Sequence, residues 1–330
     1  MPSSVPAATP TRPLASTRWG TDLDTVRPTL VSEILRGAIN LLSDAGIATP
    51  EADAVELLAH AWEVDRSALS RRRLFDDPVP VDVSRRFAEL CDLRRQRIPL
   101  QHLTGIAHFR HLQLKVGPGV FVPRPETELL AGAVLTELAE TARPDASTGN
   151  DDAQRPIVID LCSGSGAISL SVATEFDGVD VLGVEREPAA LEWSRENLAH
   201  SRLGESTVEF IAGDATQITE ERADLRGRAD IVVTNPPYVP DAAVPRDPEV
   251  AEHDPAAALY GGASGLEILR LIIAEAERLL RPGGLFLMEH SEEQGAEARE
   301  LLAATASLRH AATFQDYTGR DRYSVARREA

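Results

Sequence analysis

The tract with the most chemical content is Asp230-Ile231-Val232-Val233-Thr234-Asn235-Pro236-Pro237-Tyr238, an apolar run that breaks into an Asn, two prolines and an aromatic ring. A proline confines the residue before it to extended conformations, so Asn235 and Pro236 are both stiffened. Pro236 and Pro237 have no N–H, which leaves carbonyls as the polar groups this backbone offers. The tract therefore predicts a rigid acceptor pair, Asn235 Oδ1 and the Pro236 carbonyl, beside the face of Tyr238. Such a pair suits a planar –NH2 group that donates two hydrogens while its plane lies on the ring. The plainer reading is a strand that ends in a proline turn.

A second tract, Ile157-Val158-Ile159-Asp160-Leu161, runs into Cys162-Ser163-Gly164-Ser165-Gly166 and then an apolar stretch starting near Ala167. Small residues there let a ligand approach the backbone. The dinucleotide pattern wants a third glycine or alanine at position 169, where this chain has Ser169, so the glycines alone are weak evidence. Glu185 strengthens them. It lies nineteen residues after Gly166, at the end of the next strand, where a carboxylate takes up ribose hydroxyls. A third strand ends at Gly213-Asp214-Ala215; Asp214 either accepts from an adenine amino group or caps the next turn. The three strand ends outline a pocket for a nucleoside without a pyrophosphate, which S-adenosylmethionine fits, and the acids suit its cationic end.

These residues need elements to hold them. From Pro156 onward, strands are expected near 157–161, 180–184, 207–212, 229–234, 284–289, 310–315 and 322–327, with helices at 187–200, 264–281 and 292–304. Alternation of this kind implies a mostly parallel sheet covered on both faces, with ligands beyond the carboxyl ends of its strands. Before it, Leu30, Ile34, Leu35, Ile39 and Leu42 repeat at helical spacing, as do Ala54, Leu57, Leu58 and Ala61. Helices are expected over Arg66–Leu74 and Val81–Gln96, broken by Asp76-Asp77-Pro78. This helical module either recognises a protein substrate or caps the larger domain. A hairpin is expected in 103–116, strand-like around Phe109-Arg110-His111. Val122-Pro123-Arg124-Pro125-Glu126-Thr127-Glu128 then leads into a helix to about Thr141, with Pro125 in its first turn. Arg124, Glu126 and Glu128 either shape a substrate entrance or serve as helix-start and surface ion pairs.

Composition narrows the field. The 330 residues suffice for two domains, and the 43% hydrophobic and 26% charged content is ordinary for a globular chain. A net charge of −18, with Lys115 the single lysine, disfavours a grip on a nucleic-acid backbone. Cys91 and Cys162 make neither a disulfide framework nor a zinc spacing, and the scattered histidines have no acid or Cys at ligand spacing, so no metal is expected. Cys162 reads as a space-filler. The first 28 residues lack the apolar core of a signal peptide, and no run is long enough to span a membrane, so a cytoplasmic protein is expected.

Asp160-Leu161-Cys162-Ser163-Gly164-Ser165-Gly166, Asp214 and Asn235-Pro236-Pro237-Tyr238 resemble the class I S-adenosylmethionine-dependent methyltransferases that modify planar amino groups. The finer resemblance is to the release factor glutamine methyltransferases, the PrmC/HemK family. It rests on Gly105, Phe109, residues 122–128, the run Asp254-Pro255-Ala256-Ala257-Ala258-Leu259-Tyr260-Gly261-Gly262, Gly265-Leu266, the turn Pro282-Gly283-Gly284, Glu289, Gln294 and Gly319-Arg320-Asp321-Arg322. It implies an α/β fold, a seven-stranded Rossmann-like class I methyltransferase sheet behind a small N-terminal helical domain. The boundaries read as a disordered tail (1–28), a helical substrate-recognition domain (29–100), a hairpin and connecting helix (101–142), a flexible loop (143–155) and the methyltransferase domain (156–330). The implied reaction is N5-methylation of the glutamine in the Gly-Gly-Gln motif of class 1 peptide-chain release factors. Cys162, Ser163, Gly164, Ser165, Gly166, Glu185, Asp214, Ala215 and Asn235 are the expected cofactor contacts. Asn235, Pro236, Pro237 and Tyr238 are expected on the substrate, with Asn235, Pro236 and Tyr238 as the catalytic set. Three departures from the family pattern concern contacts rather than chemistry: Glu185 stands for the usual Asp, Cys162-Ser163 for Gly-Thr, and Asp254 for Glu.

An amide nitrogen is a poor nucleophile because its lone pair is conjugated, as the ~18–20 kcal/mol rotation barrier of an amide measures. The two acceptors would hold the N–H groups and aim the nitrogen at the methyl donor, positioning worth at most roughly 7–11 kcal/mol. The rival readings are a ribosomal-protein glutamine methyltransferase, an N6-adenine nucleic-acid methyltransferase holding a flipped base in the same tetrapeptide, and a non-catalytic module that binds S-adenosylmethionine.

Overall fold

The computed structural model describes residues 28–141 and 155–330; apart from their edge residues, the expected tail 1–28 and loop 143–155 lie outside the described residues. Among the described residues five helices come first: α1 (Val31–Asp44), α2 (Pro50–Ala61), α3 (Arg66–Phe75), α4 (Val81–Arg95) and α5 (Leu100–Thr104). Local chemistry sets their ends. Pro50 opens α2 with its missing N–H among groups that have no helical partner anyway. Asp65 caps α3, accepting from the Ala68 N–H at 2.7 Å, and Asp76 ends it in the left-handed conformation at φ 51°. The apolar stripes of these helices bury Leu35, Leu42, Leu57, Leu58, Leu69 and Phe87 together in a core of their own.

The hairpin consists of β1 (Ile106–Phe109) and β2 (Leu112–Lys115), paired antiparallel. Arg110 and His111 form its turn, with Arg110 at φ 52°, so the centre expected to be extended is instead the reversal. After α6 (Thr127–Thr141) come β3 (Ile157–Leu161), α7 (Ala167–Glu175), β4 (Asp180–Glu185), α8 (Pro188–Ala199), β5 (Thr207–Ala212), α9 (Ile218–Glu221) and β6 (Ala229–Thr234). The rest is α10 (Pro248–His253), α11 (Ala256–Leu259), α12 (Glu267–Leu279), β7 (Leu280–Glu289), α13 (Gly295–Ala304), β8 (Leu308–Gln315) and β9 (Asp321–Arg328). Pro125 sits one turn earlier than expected: the Thr127, Glu128 and Leu129 N–H groups bond three residues back, a tight turn that delivers Thr127 as the first helical residue. Pro282-Gly283-Gly284 is not a turn between elements but an irregularity inside β7, where the register with β6 shifts.

The sheet has seven strands in the order β5-β4-β3-β6-β7-β9-β8. β5 to β7 are parallel, and β9 runs antiparallel to both its neighbours. Side chains alternate between two buried layers, as the pleat requires. Val158, Ile231, Val233 and Leu287 pack with Leu130 and Val134 of α6 and Leu170 of α7. Ile159, Leu161, Val232 and Phe286 pack on the other side with Leu269 and Ile273 of α12 and Leu302 of α13. The chain leaves β3 toward β4 and β5 on one side, then returns to place β6 on the other. The carboxyl ends of β3 and β6 therefore flank the switch point, where open α/β sheets bind ligands. Among the described residues no helix is long and apolar enough to cross a membrane.

Candidate active site

A cavity of about 430 Å³ opens at this switch point. Its walls come from the β3–α7 turn (162–165, 167 and 168), the ends of β4 and β5 (Glu185, Asp214, Ala215), and Asn235 to Val239 after β6. Thr127 and Arg124 before and at the start of α6, and Val250, Pro255 and Leu259 around α10 and α11, complete it. The strand ends meet because Leu161 and Thr234 are register partners, and the Thr234 hydroxyl donates to the Leu161 carbonyl at 2.8 Å.

The glycine turn owes its shape to packing from below. Gly166 has φ +82°, and a Cβ there would lie 2.6 Å from Phe210 Cζ; one at Gly183 in β4 would lie 2.4 Å from Phe210 Cδ1. The ring of Phe210 thus fills the space between the turn and the sheet. At Gly164 (φ +55°) an added Cβ would meet nothing, so that part of the turn faces open space. Ser169, out of pattern in the sequence, has a local partner. Its hydroxyl and N–H donate to Asp160 Oδ2 at 2.6 and 3.2 Å. Burial pushes the Asp160 carboxyl up to about 7, against those two bonds, and Oδ1 is buried with no partner among the described residues. Burial also raises the Cys162 thiol, with the charge of Glu185 adding to it, which keeps the thiol protonated and unreactive.

Glu185 reaches back toward the turn. Its Oε2 accepts from the Gly164 N–H and its Oε1 from the Glu187 N–H, each at 2.8 Å. The extra methylene, relative to Asp, spans to Gly164, and each oxygen keeps lone-pair capacity for a diol. Asp214 Oδ1 accepts from the Thr216 N–H at 2.9 Å and from its hydroxyl at 2.7 Å, so this oxygen caps the turn, while among the described residues Oδ2 has no such bond. These groups fit S-adenosylmethionine: a cavity of ligand size, an open glycine turn, a carboxylate over it and a second at the next strand end.

The tetrapeptide forms the opposite wall. Asn235 Nδ2 donates to Thr127 Oγ1 at 3.1 Å, which leaves its oxygen as the amide atom for the cavity. Among the described residues no donor reaches the Pro236 carbonyl. Tyr238 lines the cavity and its hydroxyl donates to Glu289 Oε1 at 3.3 Å. Behind it the chain doubles back with almost no clearance. A Cβ at Gly265 would lie 2.2 Å from the Tyr238 carbonyl oxygen, and one at Gly261 would lie 2.5 Å from that of Pro237. Gln294 Nε2 donates to the Tyr238 carbonyl at 3.0 Å. Of the entrance candidates, Arg124 lines the cavity and pairs with buried Asp254 at 2.6 Å. Glu128 instead accepts the Arg110 N–H at 2.9 Å and holds the hairpin turn. Thr127 and Glu289 are not among the expected site residues; in the sequence they stand only within the tract leading into α6, the expected strand near 284–289 and the residues of the family resemblance. No short-range spacing links either of them to Asn235.

Two family models match the chain: the PrmC N-terminal domain over residues 33–105 and a methyltransferase domain over residues 154–328. The release factor glutamine methyltransferase of Bifidobacterium longum is 43% identical over 303 residues, covering 90% of this chain and 99% of that protein. The enzyme of the same name from Mycolicibacterium smegmatis is 41% identical over 297 residues, covering 90% and 97%. That from Mycobacterium tuberculosis strain H37Rv is 36% identical over 303 residues, covering 89% and 91%. With near-complete coverage on both sides and the switch-point cavity in place, this chain belongs to the release factor glutamine methyltransferase family.

Proposed function

We propose that this enzyme methylates the side-chain nitrogen of the glutamine in the Gly-Gly-Gln motif of class 1 peptide-chain release factors, giving N5-methylglutamine. S-adenosylmethionine supplies an electrophilic sulfonium methyl group. The observation that carries the reading is the hydrogen bond from Asn235 Nδ2 to Thr127, beside a Pro236 carbonyl that no donor among the described residues occupies. A primary carboxamide has two N–H groups to place, and Asn235 Oδ1 and the Pro236 carbonyl can accept one each. Tyr238 packs against the carboxamide plane. Held this way, the nitrogen keeps one face toward the glycine turn, and positioning rather than acid–base chemistry lowers the barrier. The proton leaves the nitrogen for water once the new C–N bond has formed.

The helical region α1 to α5 receives the release factor on this reading, which the match to the PrmC N-terminal domain supports. The enzyme works in the cytoplasm and takes no nucleic acid, in keeping with the net charge of −18. The test is incubation of the full chain with methyl-labelled cofactor and a purified class 1 release factor, followed by mass mapping. Label on the glutamine of Gly-Gly-Gln is expected; label on a ribosomal protein or an adenine base, with none on the release factor, overturns the reading.

A further inference from the structure

We infer that Arg124 is a cofactor-binding residue: its guanidinium takes the amino-acid carboxylate of S-adenosylmethionine. The inference rests on the cofactor and not on the release factor proposed above.

S-adenosylmethionine carries an anion at the end opposite its adenine, and that carboxylate must find donors once it leaves water. The cavity wall holds few cations. Its acidic residues are Glu185, Glu187 and Asp214, and its cationic ones are Arg124 and Arg186. Arg186 follows Glu185 at the end of β4 and already pairs with Glu187 at 3.2 Å, on the ribose side. The sheet order β5-β4-β3-β6 gives the cofactor a direction. With the base at Asp214 after β5 and the ribose on Glu185 after β4, the remainder runs past the β3–α7 turn toward β6. The wall it meets there carries Arg124. The Arg124 carbonyl accepts the Thr127 N–H at 3.1 Å, and Thr127 in turn accepts from Asn235 Nδ2, which ties the arginine to the tetrapeptide.

Arg124 is held ready for an anion. Nη2 donates to Asp254 at 2.6 Å, and only 1% of the Asp254 side chain is exposed. The guanidinium carbon lies 4.9 Å from the centre of the Phe121 ring, and Phe121 also lines the cavity. Fixed by an acid on one side and a ring on its face, the fork loses little freedom on binding. Nε and Nη1 have no hydrogen-bond partner among the described residues, and 31% of the side chain remains exposed. A guanidinium offers donors and no acceptor, so it cannot serve the two N–H groups of a carboxamide. A carboxylate, which only accepts, is its complement.

Calorimetry on the full chain with two ligands tests this: S-adenosylmethionine and its decarboxylated analogue, which keeps the nucleoside, the sulfonium methyl and the amine. The wild type should bind the analogue about thirtyfold more weakly, the scale of one lost hydrogen bond to a charged group. Arg124→Gln should erase most of that difference, weakening S-adenosylmethionine while leaving the Kd of the analogue nearly unchanged. Arg124→Gln combined with Asp254→Asn, which strands no buried acid, should show the same pattern. Equal wild-type affinity for the two ligands, or an equal loss for both in the variants, overturns the inference. So does an unchanged S-adenosylmethionine Kd in Arg124→Gln with a raised KM for release factor, the result expected of a residue that serves the substrate entrance. Binding of neither ligand by the wild type would remove the cofactor and this inference together. Failure to label a release factor would instead sink the proposed function and leave these affinities to decide the role of Arg124.

Discussion

Arg94, near the end of α4, and Glu249, in α10, meet at 2.7 Å with about nine-tenths of each side chain buried. Arg94 also reaches Asp53 of α2 at 2.7 Å, and Arg97 lies 3.3 Å from Glu249. α10 carries Val250, a wall residue of the cavity. A buried ion cluster thus ties the helical region to the segment that borders the active site. Removing one member of such a cluster strands the charge of the others, whereas the intact pair itself stabilises little.

Arg94→Ala should therefore cost about 3–5 kcal/mol of stability. Adding Glu249→Gln should cost much less than its separate effect, because the stranded charge is already gone. A double-mutant cycle by denaturant unfolding measures this coupling; strictly additive losses would show that the two residues do not act as a pair.

Asn235→Ala removes one of the two proposed acceptors without touching the glycine turn. The rate of methyl transfer should fall by about a hundredfold, the scale of a misplaced reactant, while cofactor affinity by calorimetry changes far less. Turnover retained at the wild-type level would remove Asn235 from the catalytic set.

Phe210 gives a way to separate crowding from backbone strain at two glycines. Gly183→Ala and Gly166→Ala should each destabilise by about 1–3 kcal/mol through contact with the ring. Phe210→Leu in the same chain should recover much of the loss at Gly183. It should recover less at Gly166, where φ +82° penalises any side chain. Equal recovery at both sites, read from thermal midpoints, would contradict this.

Asp160 predicts a slope of stability with pH. Its carboxyl is raised to about 7 in the folded chain, mainly by burial, against about 3.9 when unfolded. Between these values the folded state binds more protons, so stability is full below about pH 4 and declines as pH rises toward 7. Glu289, also raised to about 7, adds a parallel decline. Asp160→Asn should flatten the part of the curve that Asp160 contributes, and Asp160→Asn with Glu289→Gln should flatten it further. A curve unaltered in the double variant would rule out both groups as its source.

The legible part of the protein was local. Short apolar runs at 157–161 and 229–234, and the mixed run at 207–212, mark strands at their observed bounds, because a strand buried on both faces reads as a short, nearly continuous apolar stretch. Where two influences compete over a few residues, reading was poorer. Arg110-His111 looked extended and forms a turn, and Pro282-Gly283-Gly284 looked like a turn and lies within β7. The stiffness of Asn235-Pro236-Pro237 is also local, since proline acts on its own φ and on its predecessor.

What the sequence by itself determined was a stiff proline tract, a small-residue turn and the alternation of strands and helices that brings both to one sheet edge. Only the tertiary structure decided which way the Asn235 amide points, because its anchor Thr127 is 108 positions away. Likewise, Tyr238 bonds to Glu289 across 51 positions, and Gly166 and Gly183 are both shaped by Phe210. A carboxamide is nearly symmetric in shape, so no pattern of residue types can orient it. The hydrogen-bond partner supplied by a distant strand or helix does that, and such partners exist only once the sheet has closed around the site.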